Sequence, residues 1–410
     1  MISQTLAESS RELIQRLALS DDPNLISLRV LRSREEVEEV RDVWTSWNQH
    51  PNSDIDFFLM ICGARPEILR PHVIVVSRGG RPECMLIGRV EQTRLNFRFG
   101  YSRPFRPEAR ILTFIHGGVL GKESAENSDI LTRVIMRMLH RREIDGANFH
   151  HLRVDSPLFH EATRFPGFIW RDHFPIAQPH WQMALPSSFD EYLARLSPKQ
   201  RHEKRRHMKR LERDFPGKVR VDVHRGAAKC EDLARDVEVV AEKTYQRKWG
   251  MGHKDAFETH RIVSFAAQRG SLHACLMYIN DKPSAFLIGH SYRNTLYADS
   301  MGYDPEYAKY SIGSLLLMRW IEEAQQGGQQ QPINKVDFSA GDARYKREIC
   351  NEEWREASFF MFGPTLKGLK LNALRTISSV SNSYASQLLA RTRLLETIKR
   401  FWRRMGSRRS

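Results

Sequence analysis

The segment TLYADSMGYDPEYAKYSIGSLLLMRWIEEA, Thr295 to Ala324, reads as a strand, a short loop with Gly302 and Pro305, and a helix starting at Ser311-Ile312-Gly313-Ser314. A helix start built of small residues offers backbone N–H groups without intrahelical partners and the positive end of the helix dipole, a combination that suits a pyrophosphate. Gly313 permits close approach there; the other reading of this glycine is a packing contact. After the following strand, SAGDARYKRE sets Asp342, Arg344 and Lys346 where open α/β sheets bind ligands, with helix capping by Asp342 as the alternative. His290, at the end of a strand, is of a type that serves as a base, with a merely packed or exposed histidine as the other reading. Trp249, beside Lys248, ends a helix and either closes an acceptor pocket or belongs to the core.

These residues need a frame, and the sequence supplies it twice. HVIVVSRGGRPECMLIGRV, His72 to Val90, aligns without a gap on HACLMYINDKPSAFLIGHS, His273 to Ser291. Both read as hairpins, with Pro82 matching Pro283 and Leu86-Ile87-Gly88 matching Leu287-Ile288-Gly289. With one change of offset, Met136-Arg137 falls on Met318-Arg319 and Val154-Asp155 on Val336-Asp337. The order of elements predicts a duplicated α/β unit, with copies near 26–180 and 181–365, an N-terminal helical extension over 1–25 and a basic amphipathic helix over 366–410. The strand HWQMALP joins the copies. The residue of copy one matched to Gly313 is Leu131, whose branched side chain would obstruct a phosphate, so copy two is the better candidate for an anionic ligand.

Local signals set further elements. Ser33 with Glu36, Ser188 with Glu191, and Ser197 with Pro198 and Gln200 have the spacing of capped helix starts, and 33–47 is expected as one helix. Strands are expected at 26–31 and in ARILTFIHGGVLG and ANFHHLRVD, and QQGGQQQP as a solvated connector.

A formal charge of +15 and a pI near 9.7 favour anionic partners without choosing among them. The five cysteines are scattered and form no CxxC or Cys/His cluster, which predicts a reducing compartment and no structural zinc. No run approaches the roughly 18 to 20 apolar residues of a membrane span, and the first residues lack the pattern of a secretion signal, so a cytosolic location is expected.

SPKQRHEKRRHMKRLER, the hairpin leading to MGYDPEYAKYSIGSLLL, and VDFSAGDARYKREICNEEWREASFFMF together resemble the second domain of the CelD/BcsL-like acyltransferases, a branch of the GNAT superfamily related to the Fem peptidyltransferases. The resemblance implies an α/β (α+β) fold of tandem GNAT-like domains, each a mixed central sheet flanked by helices, the first degenerate and the second catalytic. It implies an acyl-CoA, acetyl-CoA or longer, held where two central strands splay apart; no metal is expected. Ser300, Met301 and Gly302 would pair with the pantetheine arm. Lys309 and the amides of Ser311, Ile312, Gly313 and Ser314 would hold the pyrophosphate, although Lys309-Tyr310-Ser311-Ile312-Gly313-Ser314 keeps only one glycine of the usual loop. Acyl transfer needs a proton acceptor for the nucleophile and a donor for the leaving thiolate. The candidates are Asp299, on a strand whose alternation puts Tyr297, Asp299 and Met301 on one face, and Tyr345, which follows the other splayed strand. Trp249, Asp342, Lys346 and Arg205 are candidates for the acceptor. No Cys or Ser stands in a nucleophile motif, so direct transfer is expected.

The stretch Ser197 to Phe215 carries eight Lys or Arg in nineteen positions, with Met208 and Leu211 as a narrow apolar stripe. It lacks stacking aromatics and any nucleic-acid-binding signature, so CoA, an acidic acceptor or solvent is expected rather than nucleic acid. At the C-terminus Leu388, Leu395, Ile398, Trp402 and Met405 share a helical face opposite Arg and Lys, which fits an anionic membrane surface or a protein partner. The preferred expectation is an acyl-CoA-dependent N- or O-acyltransferase, with envelope or exopolysaccharide synthesis as its setting by analogy and peripheral contact with the inner membrane face. The alternatives are a Fem-type transferase using aminoacyl-tRNA and a catalytically idle binding protein of the same fold.

Overall fold

The computed structural model describes residues 25–99, 102–227, 229–244, 256–326 and 332–391. The first half of the chain forms strand β1 (Ile26–Leu31), helices α1 (Arg34–Glu38), α2 (Arg41–Trp47) and α3 (Ile55–Ala64), and the hairpin β2 (Ile68–Arg78) and β3 (Arg81–Arg94). The ribbon β4 (Phe97–Phe99) and β5 (Ser102–Phe105), strand β6 (Glu108–Gly121), helix α4 (Ala125–His140), strand β7 (Gly146–Arg153) and helix α5 (Pro157–Arg164) follow. The second half begins with β8 (Ile176–Ala184), α6 (Phe189–Arg195), α7 (Pro198–Asp214), β9 (Val219–His224), α8 (Cys230–Lys243) and α9 (Ala256–Gln268). It continues with β10 (Leu272–Ile279), β11 (Lys282–Tyr292), β12 (Thr295–Tyr303), α10 (Ile312–Gln325), β13 (Lys335–Ala340), α11 (Arg344–Ile349), β14 (Glu352–Phe362) and α12 (Leu366–Arg391).

The described residues divide into two compact units: 25–177 together with 355–391, and 178–354. In the first unit the strands run β1-β2-β3-β6-β7-β14, antiparallel except for the parallel pair β6 and β7. In the second they run β9-β10-β11-β12-β13-β8, antiparallel except for β12 and β13. The two orders are the same, so the fold is a duplicated mixed sheet flanked by helices. Each sheet ends on a strand drawn from the other end of its partner copy's sequence: β14 closes the first and β8 the second.

Alternation along the strands explains why helices cover both faces. In β2, Val73 and Val75 enter the core with Trp44 and Phe58 of α2 and α3, whereas Ile74 and Val76 enter the one with Leu131 and Ile135 of α4. In β10, Ala274, Leu276 and Tyr278 meet α8 and α9, and Cys275, Met277 and Ile279 meet α10. The expected helix over 33–47 is instead two helices turning at Glu39 and Val40, with the Ser33–Glu36 capping box formed. The turn lets Val37, Val40 and Trp44 reach one core.

The repeat holds at single residues. His72 lies opposite Gly88 and His273 opposite Gly289 in the two hairpins, and a register shift immediately precedes each glycine. An added Cβ at Gly289 would stand 2.4 Å from the Tyr297 carbonyl oxygen, and one at Gly88 2.8 Å from the Phe114 ring. Two sequence matches need correction. Val154-Asp155 lies past the end of β7, while Val336-Asp337 opens β13; strand pairing makes Asn148 the counterpart of Asp337. Leu131 sits well inside α4 and is buried, not at its start. At the start of α4 the Ser124 side chain caps the helix and Glu126 occupies the first turn, so copy one closes this anion site with its own groups.

Both hairpin histidines are buried and neutral. Burial, with Arg70 and Arg32 nearby, pushes His72 down to about 3, and burial, with Arg225 and His290, pushes His273 down to about 4. A folded-state value below the unfolded one of about 6.5 means that only the unfolded chain takes up the proton between the two. Stability therefore falls as pH drops from about 6.5 toward 4, by about 3 kcal/mol for His273. Urea unfolding across this range is expected to show the slope, and His273→Gln to flatten it.

Candidate active site

Strands β12 and β13 pair at three positions, Thr295 with Lys335, Leu296 with Val336, and Tyr297 with Asp337, and no pairing follows. Beyond Tyr297, β12 keeps its bonds to β11 through Ser300, Met301 and Gly302, while its other edge faces the opening left by β13. Backbone groups on that edge are of the kind an extended amide-bearing arm can pair with.

The register shift between Ile288 and Gly289 leaves Asp299 without a partner on β11, a bulge that redirects its side chain. The Asp299 carboxylate lies 2.5 Å from His290 Nδ1, and the His290 ring stacks on Tyr297 with centroids 5.6 Å apart. The bulge also breaks the expected shared face of Tyr297, Asp299 and Met301: Met301 packs into the α10-side core with Leu296 and Ala298. Burial, then the Asp337 charge, raises the Tyr297 phenol well above its usual range.

A second histidine–carboxylate pair stands at the point of splaying. His180 Nε2 lies 2.8 Å from Asp337 Oδ1, both groups are buried, and the imidazole stacks on Trp354 at 4.4 Å. Gln182 Nε2, 3.4 Å away, and the Ser339 amide, 2.7 Å away, also donate to this carboxylate. Ser339 takes a left-handed φ of 60°, which turns the chain out of the sheet.

Next to the opening, Pro305–Tyr310 forms a short 3-10 turn, and Ser311, in a left-handed conformation, starts α10 with no side-chain cap. Gly313 is buried and makes room for the Tyr303 ring, which an added Cβ would approach to 3.1 Å; Gly302 does the same for Phe286 at 2.7 Å. Ile312 lies in the core, leaving only its backbone for a ligand. Helix α7 packs beside this start. Lys204 Nζ donates to Ser314 Oγ at 2.7 Å, and burial lowers the pKa of the amine. Tyr310 donates to Asp214 at 2.9 Å, and Lys309 lies 4.8 Å over the Tyr310 ring. Of the expected apolar stripe on α7 only Leu211 is buried; Met208 is exposed, because the helix docks through Leu211 and Lys204 instead. Arg205 is exposed.

Tyr345, in α11, is half-buried with its ring 6.0 Å from Phe338, whose side chain enters the α10-side core. Lys346 is buried, and its ammonium donates to the carbonyls of Ser339 and Ala340 at 3.1 and 3.2 Å, so it fixes the end of β13. Asp342 is exposed and pairs with Arg347 at 3.3 Å, and Arg344 pairs with Glu348 at 2.7 Å. Trp249 and the C-terminal positions Leu395, Ile398, Trp402 and Met405 lie outside the described residues. The pairs His290–Asp299 and His180–Asp337 were not read as pairs from sequence, although strand register makes His290 and Tyr297 neighbours.

Residues 198–347 match the family model described as an acetyltransferase (GNAT) domain, of the CelD/BcsL-like family. This stretch is therefore similar to a GNAT acetyltransferase domain. The structure of FemX covers 82% of this chain and 97% of its own at 10% identity, with a TM-score of 0.51. A tandem GNAT protein from the clavulanic acid biosynthesis pathway covers 83% and 100% at 12% identity, with a TM-score of 0.50. These likenesses are to the fold, and they agree with two GNAT-like units. Comparison with curated protein sequences gives no significant match. Among the described residues, no helix is long and apolar enough to cross a membrane.

Replacing Lys346 by Met leaves two carbonyls at the end of β13 without their donor. A loss of about 1–3 kcal/mol in urea-unfolding stability is expected; unchanged stability would return Lys346 to the candidates for ligand binding.

Proposed function

We propose that the second unit is an acyl-CoA-dependent acyltransferase acting on an amine or hydroxyl. The observation that carries this reading is the coincidence, at one opening between β12 and β13, of an uncapped helix start and a histidine–carboxylate pair. The family match over residues 198–347 supports the CoA donor. The pantetheine arm would lie along the free edge of β12 at Ser300, Met301 and Gly302. The pyrophosphate would meet the amides of Ile312 and Gly313, since those of Ser311 and Ser314 donate to the carbonyls of Ala308 and Ser311, with Lys204 and Lys309 adding charge. Lys204 thereby gives the basic helix a specific task.

Asp299, accepting from His290 Nδ1–H, would orient the imidazole so that Nε2 acts as the base, and Asp299 works through His290. The acceptor's nitrogen or oxygen attacks the thioester carbonyl as His290 takes its proton. The C–S bond then breaks, and Tyr345 protonates the departing thiolate. Trp249, Asp342 and Arg205 remain candidates for holding the acceptor, and the exposed arginines of α7 fit an acidic one.

Calorimetry with acetyl-CoA and longer acyl-CoAs is expected to give binding that Gly313→Glu abolishes and Lys204→Met weakens about tenfold, as loss of a charged hydrogen bond predicts. Absence of binding by every acyl-CoA, with salt-sensitive binding of aminoacyl-tRNA, would replace the reading with a tRNA-dependent transferase. With an acceptor in hand, His290→Gln and Asp299→Asn are expected to lower kcat by about 10²–10⁴ while leaving CoA affinity in place. Retained kcat in both would remove the pair from the mechanism.

A further inference from the structure

After α5 the first unit displays apolar side chains on a backbone whose carbonyls are engaged. Phe168 is 71% exposed and Ile169 56%, and Phe165, which closes α5, is exposed as well. The successive carbonyls of residues 167–171 nevertheless all accept hydrogen bonds. Gly167 takes the Trp170 amide at 2.8 Å, Phe168 the His173 Nε2–H at 2.7 Å, and Trp170 the Phe362 amide at 3.2 Å. Asn372 Nδ2, on α12, donates to both Ile169 at 2.6 Å and Arg171 at 3.1 Å. A loop tied in this way holds its side chains out by construction.

Helix α12, which secures the loop, turns a second apolar face outward. Leu371 and Leu374 dock it on a core with Leu95, Phe97 and Ile111. Leu366, Leu369, Ala373 and Ile377 recur at the three- and four-residue spacing of one helical face, and all four are exposed, Leu366 at 80% and Ile377 at 54%. Apolar groups exposed in such concentration mark an interaction surface. The charge around them has one sign. Between positions 357 and 395 the sequence holds Lys and Arg but no Asp or Glu, and within 164–177 the one acid, Asp172, is buried and bound to Arg375 at 3.1 Å.

We propose that the loop at 165–169 and the outward face of α12 dock the first unit on an anionic lipid bilayer. The bilayer interface takes apolar side chains but penalises unpaired carbonyls, and the carbonyls of this loop already have donors. Exposed Lys370 shares the helix face with Leu366 and Ala373. A second copy packed there would bury this ammonium against a helix that has no carboxylate, at a high cost. At a bilayer the same lysine reaches the lipid phosphates while its methylene stem stays with the leucines. The Arg171 guanidinium, 5.3 Å over the Phe168 ring, is placed to meet a phosphate when that ring inserts. By sequence alone the C-terminal face from Leu388 onward fits a membrane or a protein partner; the exposed stripe precedes it on α12 and, through Lys370, favours the membrane.

The full-length protein is sedimented with vesicles of phosphatidylglycerol and phosphatidylcholine, or of phosphatidylcholine alone. Binding to the anionic vesicles is expected, weakened by high salt and at least tenfold tighter than to the neutral ones. Phe168→Ser with Ile169→Ser, and Leu366→Ser with Leu369→Ser, are each expected to weaken it at least tenfold, since each pair withdraws two large apolar groups from the interface. Both pairs lie at exposed positions and leave the face from Leu388 onward unchanged, and circular dichroism establishes that each variant is folded. Failure of the folded wild type to bind anionic vesicles overturns the proposal, as does affinity unchanged in either folded variant. A wild-type dimer that the same variants dissociate, without vesicle binding, gives the face to a second copy and overturns it too. The outcome does not depend on whether the second unit transfers acyl groups.

Discussion

The early end of the parallel pairing between β12 and β13, after Tyr297 and Asp337, is the constraint on which the second unit's site depends. Two parallel strands that stay paired offer no backbone to a ligand; two that part leave one edge of each open inside a sheet whose faces are covered by helices. The parting is stabilised from both sides. The bulge at Asp299 turns β12, the left-handed Ser339 turns β13, and the ammonium of Lys346 holds the displaced end in place. Asp337, buried between His180, Gln182 and the Ser339 amide, fixes where the separation begins.

Much of this frame was legible because its signals are local. The capping boxes at Ser33 and Ser197 formed as their spacing predicts, and the matched hairpins share a register down to the histidine opposite a glycine. Asp299, Ser311 and Gly313 could be placed on a strand end and a helix start from sequence, since both follow from apolar periodicity and turn residues. Roles were harder to read. Gly313 makes room for Tyr303, and Lys346 satisfies two carbonyls, so packing and backbone satisfaction account for residues whose types alone pointed to ligands.

What stayed hidden depends on register and on distance along the chain. A single extra residue at Asp299 moves Met301 to the opposite face, and no composition signal marks it. His290 and Asp299 are nine residues apart across a hairpin, and pairing them requires knowing where the bulge falls. Glu356 lies more than 200 positions from both His116 and His151, and only the placement of β14 beside β7 brings them together. The same placement explains why a linear division into copies leaves out the end strand of each sheet.

That exchanged strand also carries a history and a kinetic cost. Two single-copy chains trading their last strands in this way would form a domain-swapped dimer, and joining them end to end turns the encounter into an intramolecular one at the effective concentration set by the connecting chain. Fusion thus frees the two copies to diverge in their bulges while neither can complete its sheet alone. The β7–β14 pairing must wait for nearly the whole chain to be made, which places the closing of the first unit late in folding and exposes the edge of β7 until then.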